Sequence, residues 1–252
     1  MRKSFYLQYT KMKTCITDQR ISEECLEHLC ELGYPAIKLP PVPGLSSAVA
    51  SHTDIILFHH KNTLIASKEY FSTNASLADE IRAALPSHNI ILSDERQRGR
   101  YPYDAIFNAL VIGKYLFAKT DTVCPDILRY AEISDLTVVH TNQGYPACTV
   151  LPVGQSAAVT ADFGMARLMS DCGIEVLTVS QDEAIKLPPY RNGFIGGAAG
   201  AFDDKILFIG NFDALSEHEK ISVFLKKHGY RAISLDPDAS VLFDLGGILF
   251  CE

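Results

Sequence analysis

The 252-residue sequence lacks the features that identify several common classes of protein. It contains no run of about 18 apolar residues, the length that a membrane-spanning helix needs, and polar residues follow its basic first residues at once, unlike a secretion signal. It also contains no stretch of six basic residues, and its net charge of −7 argues against a nucleic-acid-binding surface. We therefore expect neither a membrane nor a nucleic acid as a partner.

Paired cysteine and histidine motifs are absent too. The seven cysteines are scattered without any Cys-x-x-Cys pair, which is typical of a reducing compartment and predicts a cytoplasmic protein without disulfides. The adjacent residues His59 and His60 would point to opposite faces of a strand and could not chelate one metal ion together. The glycine-rich stretch 193–200 precedes a strand rather than a helix, so it is not a dinucleotide-binding fingerprint. We expect no metal and no cofactor.

What the sequence does contain is a fivefold repeat of about 50 residues. An amphipathic helix leads into an apolar strand, and a loop of small or polar residues with further strands follows. The helices are expected at Ser22–Leu32, Ser76–Leu85, Pro125–Ile133, Asp162–Cys172 and Ser216–His228, and the strands at Ala36–Leu39, Asn89–Leu92, Leu136–His140, Glu175–Val179 and Arg231–Leu235. A repeat of this period indicates a solenoid, a propeller or a closed ring.

Local signals support the boundaries of these units. Gly33, Gly173 and Gly229 each follow a helix, as left-handed C-terminal caps do, and Pro125 suits a first helical position. The stretch from Ser216 to Glu219 matches a capping box. Since no linker interrupts the alternation, we expect one domain over residues 1–252, with the strand-like stretch Lys3–Thr10 completing the last unit and closing the ring.

The loops of the five units would converge on the axis of such a ring, and they carry the candidate ligand-binding residues. His52 and Asp54 would face the same way on an extended strand, either gripping a ligand or beginning a strand with a core histidine. Asp104 and Asn108 would share a face if their segment were helical; the alternative is that Asp104 is a turn residue after the Tyr-Pro pair. The glycines of stretch 193–200 allow close approach of backbone to a ligand or to a neighbouring unit. The predicted ligand-binding residues are Asp54, Tyr101, Asp104, Asn108, Gln143, Tyr145, Gly196 and Gly197.

These loop segments resemble those of the pentein, or five-bladed α/β-propeller, superfamily of guanidino-group-modifying enzymes (GME), closest to an uncharacterised bacterial branch. The resembling segments are Ser51–Asp54, Tyr101–Asp104 with Asn108, Gln143–Cys148 and Gly193–Gly200. The superfamily includes arginine and agmatine deiminases, dimethylarginine hydrolases and amidinotransferases, as well as a non-catalytic ribosome anti-association factor. The resemblance implies ββαβ-type repeats closed into a ring, with a central site that holds a cationic guanidinium between carboxylates.

The same resemblance identifies Cys251 as the positional candidate for the nucleophile, because a glycine pair precedes it by a few residues. In the fourth unit, however, Phe194 stands where the superfamily has its catalytic histidine and Gly196 where it has a carboxylate. Without that acid/base group the familiar deiminase mechanism does not carry over intact. Cys148 is the rival nucleophile, with His52 or His140 as the candidate base, although a lone cysteine is also common as a small buried apolar residue.

Three functions therefore remain open. The first is a non-catalytic protein that binds a small cationic, guanidine- or amine-like ligand in an axial pocket. The second is an active cysteine-dependent hydrolase or amidinotransferase, which requires a thiol and an imidazole within about 8 Å of each other, the reach of one bridging water. The third is a protein-interaction module. The sequence leaves the oligomeric state undetermined.

Overall fold

The computed structural model describes residues 13–251. Five of its helices correspond to the five predicted ones, with ends that differ by at most two residues. Three further helices are short and were not predicted. In chain order the helices are α1 (Glu23–Glu31), α2 (Thr53–Ile56), α3 (Lys68–Thr73), α4 (Ala75–Ala84), α5 (Pro125–Ile133), α6 (Pro146–Thr149), α7 (Phe163–Asp171) and α8 (His218–Lys227).

The rest of the regular structure is a 3₁₀ helix at Phe212–Ala214 and a set of short strands. In chain order they are β1 (Thr14–Asp18), β2 (Ala36–Leu39), β3 (Leu57–His60), β4 (Thr63–Ser67), β5 (Asn89–Ser93), β6 (Leu110–Ile112), β7 (Tyr115–Ala118), β8 (Thr137–His140), β9 (Val150–Val153), β10 (Ala157–Thr160), β11 (Glu175–Thr178), β12 (Ile185–Lys186), β13 (Ala199–Phe202), β14 (Lys205–Phe208), β15 (Arg231–Ser234), β16 (Leu242–Phe243) and β17 (Leu249–Cys251). Over residues 13–251 they form five three-stranded sheets and one two-stranded sheet, β12 with β16.

The five three-stranded sheets share one topology. A hairpin joins the first strand to the middle strand in four of them, and a helical crossover then leads to a parallel third strand, as in β3-β4-β5. In the tight hairpin turns, residues such as Lys61 and Gly113 have positive φ angles. This left-handed backbone conformation matches the twist of the flanking strands. The fifth sheet, β17-β1-β2, has the same antiparallel and parallel pairings but draws its outer strand from the other end of the described chain.

The helices cover the sheets through their apolar faces. Helix α5 begins at Pro125, as predicted, and buries Ile127 and Ala131 while its last residue, Ile133, is 85% exposed. Ile127 joins a cluster with Leu116 of β7, and burying such a side chain contributes about 1.5–3 kcal/mol. Within the described part of the chain, no helix combines the length and apolarity needed to cross a membrane.

Of the predictions about helix ends, the glycine caps are confirmed and the capping box is wrong. Gly33, Gly173 and Gly229 all have positive φ angles after their helices, so the left-handed caps are confirmed. The capping box is wrong: α8 begins at His218, after Glu217, and the backbone and hydroxyl of Ser216 donate instead to Asp182. A tertiary partner has replaced the local one.

The predicted N-terminal strand Lys3–Thr10 lies outside the described residues. The strand that pairs with β17 is β1, which the sequence pattern did not indicate. All five residues of β1 are buried, so it lacks the alternation of apolar and polar residues that marks a half-exposed strand.

Candidate functional site

Loops from several units surround a cavity of about 370 Å³ at one end of the sheets. Its wall combines tyrosines, carboxylates and one thiol. The lining residues are Ser46, Val49, His52, Tyr101, Asp104, Tyr145, Cys148, Leu187, Tyr190, Asn192, Phe194 and Asp244. Among the described residues that line it there is no lysine or arginine, so its charged groups are acidic.

Cys148 lies at the floor of this cavity on the short helix α6. Its Sγ donates to Oδ2 of Asp54 at 2.7 Å, and Nδ2 of Asn108 donates to the same sulfur at 3.4 Å. Oδ1 of Asn108 accepts the backbone N–H of Ala147, which fixes the orientation of the amide. Burial, followed by the Asp54 carboxylate, raises the pKa of Cys148 well above its ordinary value. The thiol is therefore protonated at neutral pH in the ligand-free protein.

Two buried carboxylates lie around this thiol. Burial raises the pKa of Asp54 to about 6, and burial together with the nearby Asp54 raises the pKa of Asp244 to about 7. Oδ2 of Asp244 accepts the backbone N–H of Phe194 at 2.8 Å, and its Oδ1 accepts that of Gly246 at 3.2 Å. The pair therefore shares protons near neutral pH, because two adjacent buried charges are costly.

His52 is fully buried beside this pair. Its Nδ1 lies 3.9 Å from Oδ1 of Asp244, and neither ring nitrogen has a hydrogen-bond partner among the described residues. A ring nitrogen of His52, a carboxylate oxygen of Asp54 and Sγ of Cys148 lie within 4.8 Å of one another. Burial lowers the pKa of His52 to about 4, so the imidazole is neutral and able to accept a proton. His52 and Asp54 were expected on an extended strand, but they lie at the start of α2.

A tyrosine–carboxylate group forms one side wall. The hydroxyl of Tyr145 donates to Oδ2 of Asp104 at 2.7 Å, while Oδ1 of Asp104 is buried without a partner in the described structure. The Tyr101 ring lies 5.4 Å from that of Tyr145, and its hydroxyl accepts the backbone N–H of Gly144. Asp104 and Asn108 lie on a turn rather than a helix, so they do not share a helical face.

The side-chain amide of Gln143 forms its hydrogen bonds with nearby residues of the same segment and not with the cavity. Its side-chain nitrogen donates to Thr149, and its side-chain oxygen accepts the backbone N–H of Tyr145. These contacts hold the loop that leads into α6, and with it Tyr145. Gln143 is not among the residues that line the cavity.

The glycine-rich stretch packs closely against the backbone around Cys148 and against a carboxylate. The backbone N–H of Gly197 donates to the carbonyl oxygen of Cys148, and a Cβ at Gly197 would lie 1.9 Å from Oδ1 of Asp244. A Cβ at Gly196 would lie 2.3–2.7 Å from three backbone carbonyl oxygens, so no carboxylate-bearing side chain fits there. Phe194 lines the cavity. The sequence left open whether the backbone of this stretch approaches a ligand or a neighbouring unit. These contacts favour the neighbouring unit.

Cys251 lies elsewhere in the fold. It is on β17 opposite Thr14, and it is buried in the apolar cluster around sheet β3-β4-β5. Burial raises its pKa to about 12. Its Sγ lies within 4.8 Å of ring nitrogens of His59 and His88, but it is not among the residues that line the cavity.

Sequence reasoning missed two acidic groups near the site. Asp244 was not among the predicted residues, although it lies just before the glycine pair that drew attention to Cys251. Asp18 is fully buried, forms a bidentate pair with Arg20 and accepts the hydroxyl of Ser51 at 2.9 Å. Arg20 also donates to the carbonyl of Ala48, which holds the segment that contributes Ser46 and Val49 to the cavity wall.

Comparison with known protein families shows where the chain belongs. Residues 16–249 match a family of unknown function, DUF6873. The chain is a member of that family. No curated protein matches the sequence significantly.

Several solved structures of enzymes are similar to this DUF6873 member, although their sequences share little identity with it. An amidinotransferase of the saxitoxin pathway from Microseira wollei, SxtG, superposes with a TM-score of 0.54 at 10% identity over 84% of this chain and 73% of its own. The dimethylarginine hydrolase DDAH from Pseudomonas aeruginosa, in complex with citrulline, gives 0.52 at 10% identity over 90% and 92%. An agmatine deiminase from C. jejuni gives 0.51 at 10% identity over 89% and 86%.

At these identities the likeness concerns the fold alone. The DUF6873 member shares the mixed α/β fold of these enzymes, which is the fold that the resemblance of the loop segments predicted. The likeness does not transfer the activity of any of these enzymes.

Proposed function

We propose that this DUF6873 member binds a small organic cation, of the guanidine or amine class, in the cavity above Cys148. The observation that carries the proposal is the unpartnered Oδ1 of Asp104, which is buried at the wall of a cavity whose charged groups are acidic. A buried carboxylate oxygen without a hydrogen bond is costly, and a guanidinium or ammonium N–H would satisfy it.

The aromatic side chains of the cavity suit the same ligand. Tyr101, Tyr145 and Tyr190 present ring surface to the cavity, and a cation over a tyrosine face is stabilised by about 0.5–2 kcal/mol. The cavity of about 370 Å³ is of the size that holds a small metabolite rather than a polymer.

Proton linkage supplies a distinguishing property of the proposed site. A cation bound in this cavity stabilises the charged form of Asp244, which lines the cavity and whose pKa in the free protein is about 7. Below that value a proton has to leave before the ion pair forms, so binding weakens by up to about tenfold per pH unit. Affinity is therefore expected to rise between about pH 5 and 7.

The test compares arginine and agmatine with citrulline, a neutral urea analogue of arginine, by calorimetry and thermal shift. We expect a shift with the cations, little or none with citrulline, and weakening by at least about tenfold in Asp104→Asn. Asp94→Asn, which removes an exposed carboxylate, is the matched control. Absence of a shift with any cation at millimolar concentration would remove the main support for this proposal.

The ring itself is part of the proposal. We infer that the five three-stranded sheets lie around one axis as the five units of a propeller, within a single domain. Support comes from their shared topology and from the pairing of β1 with β17, which brings the two ends of the described chain into one sheet.

A second candidate function is covalent catalysis by Cys148. The observation that favours it is the contact of the thiol with Asp54, with a ring nitrogen of His52 inside 4.8 Å, well within the 8 Å limit set above. Sγ would attack an amidine carbon while its proton passes to Asp54 or His52, and the leaving amine would depart with a proton. Water would then hydrolyse the S–C bond and restore the thiol.

Mass spectrometry of the protein after incubation with agmatine or arginine tests this candidate. An adduct on Cys148 that is absent from Cys148→Ser, together with released ammonia or amine, would establish turnover. Binding of the cation without adduct or product would leave the protein as a ligand-binding member of the fold.

A further inference from the structure

We propose that His59, His88 and Cys251 form a binding site for a divalent transition-metal ion, with Zn²⁺ as the first candidate. Two imidazoles and a thiolate are ligands that Zn²⁺ prefers. The site is separate from the cavity above Cys148, and its success or failure is independent of cation binding there.

Geometry is the main support. One nitrogen of each imidazole and Sγ of Cys251 lie within 4.8 Å of one another. Zn–N and Zn–S bonds of about 2.0–2.3 Å place tetrahedral ligand atoms about 3.5 Å apart, so small side-chain rotations bring all three atoms to one ion. The rings of His59 and His88 are stacked with centroids 5.7 Å apart and an interplanar angle of 21°.

The state of His59 supports the same conclusion. Its Nε2 is buried without a hydrogen-bond partner among the described residues, which leaves a polar atom unsatisfied inside the fold. When the ion binds, the thiol proton of Cys251 leaves to solvent as the sulfur–metal bond forms, and no electron is transferred.

The position of the three residues indicates both access and a role. His59 lines a second cavity, of about 470 Å³, together with Leu249 and Phe250 of β17, which provides a route for the ion and room for a fourth ligand such as water. His59 is on β3, His88 directly precedes β5, and Cys251 is on β17. A bound ion would therefore tie sheet β3-β4-β5 to sheet β17-β1-β2, where the two ends of the described chain meet.

Equilibrium dialysis of the untagged, metal-depleted protein with Zn²⁺ tests the proposal. We expect about one tightly bound ion per chain and a higher melting temperature with Zn²⁺, since a ligand of the folded state stabilises it. His59→Gln and Cys251→Ser should each weaken binding by about a hundredfold or more. His60→Gln, the adjacent imidazole on the other face of β3, and Cys30→Ser, an exposed thiol, should leave the affinity unchanged.

Replacing Zn²⁺ by Co²⁺ provides a spectroscopic test on the unmodified protein, which remains decisive if a variant fails to fold. The unmodified protein with Co²⁺ should show an intense thiolate-to-cobalt charge-transfer band and the strong visible absorption of a tetrahedral site. Cys148→Ser should retain both, which separates this site from the thiol of the cavity. Absence of the charge-transfer band, or its loss in Cys148→Ser alone, would overturn the proposal, as would Zn²⁺ affinity unchanged in His59→Gln and Cys251→Ser.

Discussion

Cys148 and Cys251 are both almost fully buried, yet their surroundings differ in kind. Cys148 contacts a carboxylate and an amide and borders a cavity, whereas Cys251 lies in an apolar cluster with two imidazoles nearby. Burial raises the pKa of both thiols. The difference teaches that burial raises the pKa of both thiols, while the groups that a thiol touches, such as Asp54 beside Cys148, shift that pKa further and decide which chemistry is open to it.

Four predictions sharpen or break this comparison, and the largest effect is expected at Gly197, between Cys148 and Asp244. Gly197→Ala would place a Cβ 1.9 Å from Oδ1 of Asp244, which is already held by two backbone N–H groups. Since the carboxylate has to move and lose those bonds, we expect a loss of about 3 kcal/mol or more in the free energy of unfolding.

Urea denaturation measures this loss. Gly164→Ala, in the first turn of helix α7, is the matched control and should cost less than about 1 kcal/mol, because its Cβ would come no closer than 3.1 Å to Oδ1 of Asp162 and alanine is the better helix former. A Gly197→Ala protein as stable as the unmodified one would show that Asp244 is not confined as described.

Replacing each thiol by an apolar group of similar size compares the two surroundings directly. Cys148→Val leaves buried groups of Asp54 and Asn108 without their partner, so we expect a loss of about 2–3 kcal/mol. Cys251→Val removes a thiol from an apolar cluster and should cost less than about 1 kcal/mol in metal-free buffer. Equal losses in the two variants, measured by urea denaturation with a chelator present, would break the comparison.

The free energy of unfolding should change with pH in the direction that the raised pKa of a buried carboxylate requires. Because the pKa of Asp244 is raised to about 7, the folded state keeps a proton that the unfolded state releases above about pH 4. This group therefore lowers the free energy of unfolding as pH rises from about 4 to 7, by up to about 1.4 kcal/mol per unit. His52, whose pKa is lowered to about 4, acts in the opposite direction between about pH 4 and 6.5.

Denaturation of Asp244→Asn across this range isolates the contribution. The variant should gain stability relative to the unmodified protein as pH rises, whereas the exposed-site control Asp94→Asn should show no such trend. In His52→Gln the trend should reverse. A difference between Asp244→Asn and the unmodified protein that does not vary with pH would contradict the prediction.

The smallest effect concerns thiol reactivity. The Asp54 carboxylate raises the pKa of Cys148, so Asp54→Asn should lower that pKa and speed alkylation of Cys148 by about tenfold at neutral pH. For Cys251, burial is the sole cause of its raised pKa, so its rate should not change. Site-resolved mass spectrometry follows both thiols in one sample. Equal acceleration at both would indicate general loosening of the fold.

Local patterns predicted the five longer helices and the strands that follow them. Each helix carries an apolar face, and three end in glycines whose positive φ angles the structure confirms. The capping box at Ser216 was wrong because Asp182, 34 residues away in sequence, binds that serine instead. Strand β1 was missed because both of its faces are buried, which removes the alternation that identifies a strand.

The candidate site was predictable in composition but not in arrangement. His52, Asp54, Asn108 and Cys148 were all among the predicted residues, since each is a polar or reactive group in a loop at the same phase of the repeat. That Cys148 would contact Asp54, 94 residues away, follows from the packing of the units and not from any local pattern. The same holds for Asp244, whose carboxylate is held by a backbone N–H from the preceding unit.

The sequence by itself determined the five longer helices and the acidic net charge, because periodicity, capping and charge are local or additive properties. Only the tertiary structure decided which thiol borders a cavity, which carboxylates share protons, and that His59, His88 and Cys251 meet. Those outcomes depend on distances between units that lie far apart in the chain. Burial and proximity, which set pKa values and ligand geometry, exist only after the units have packed together.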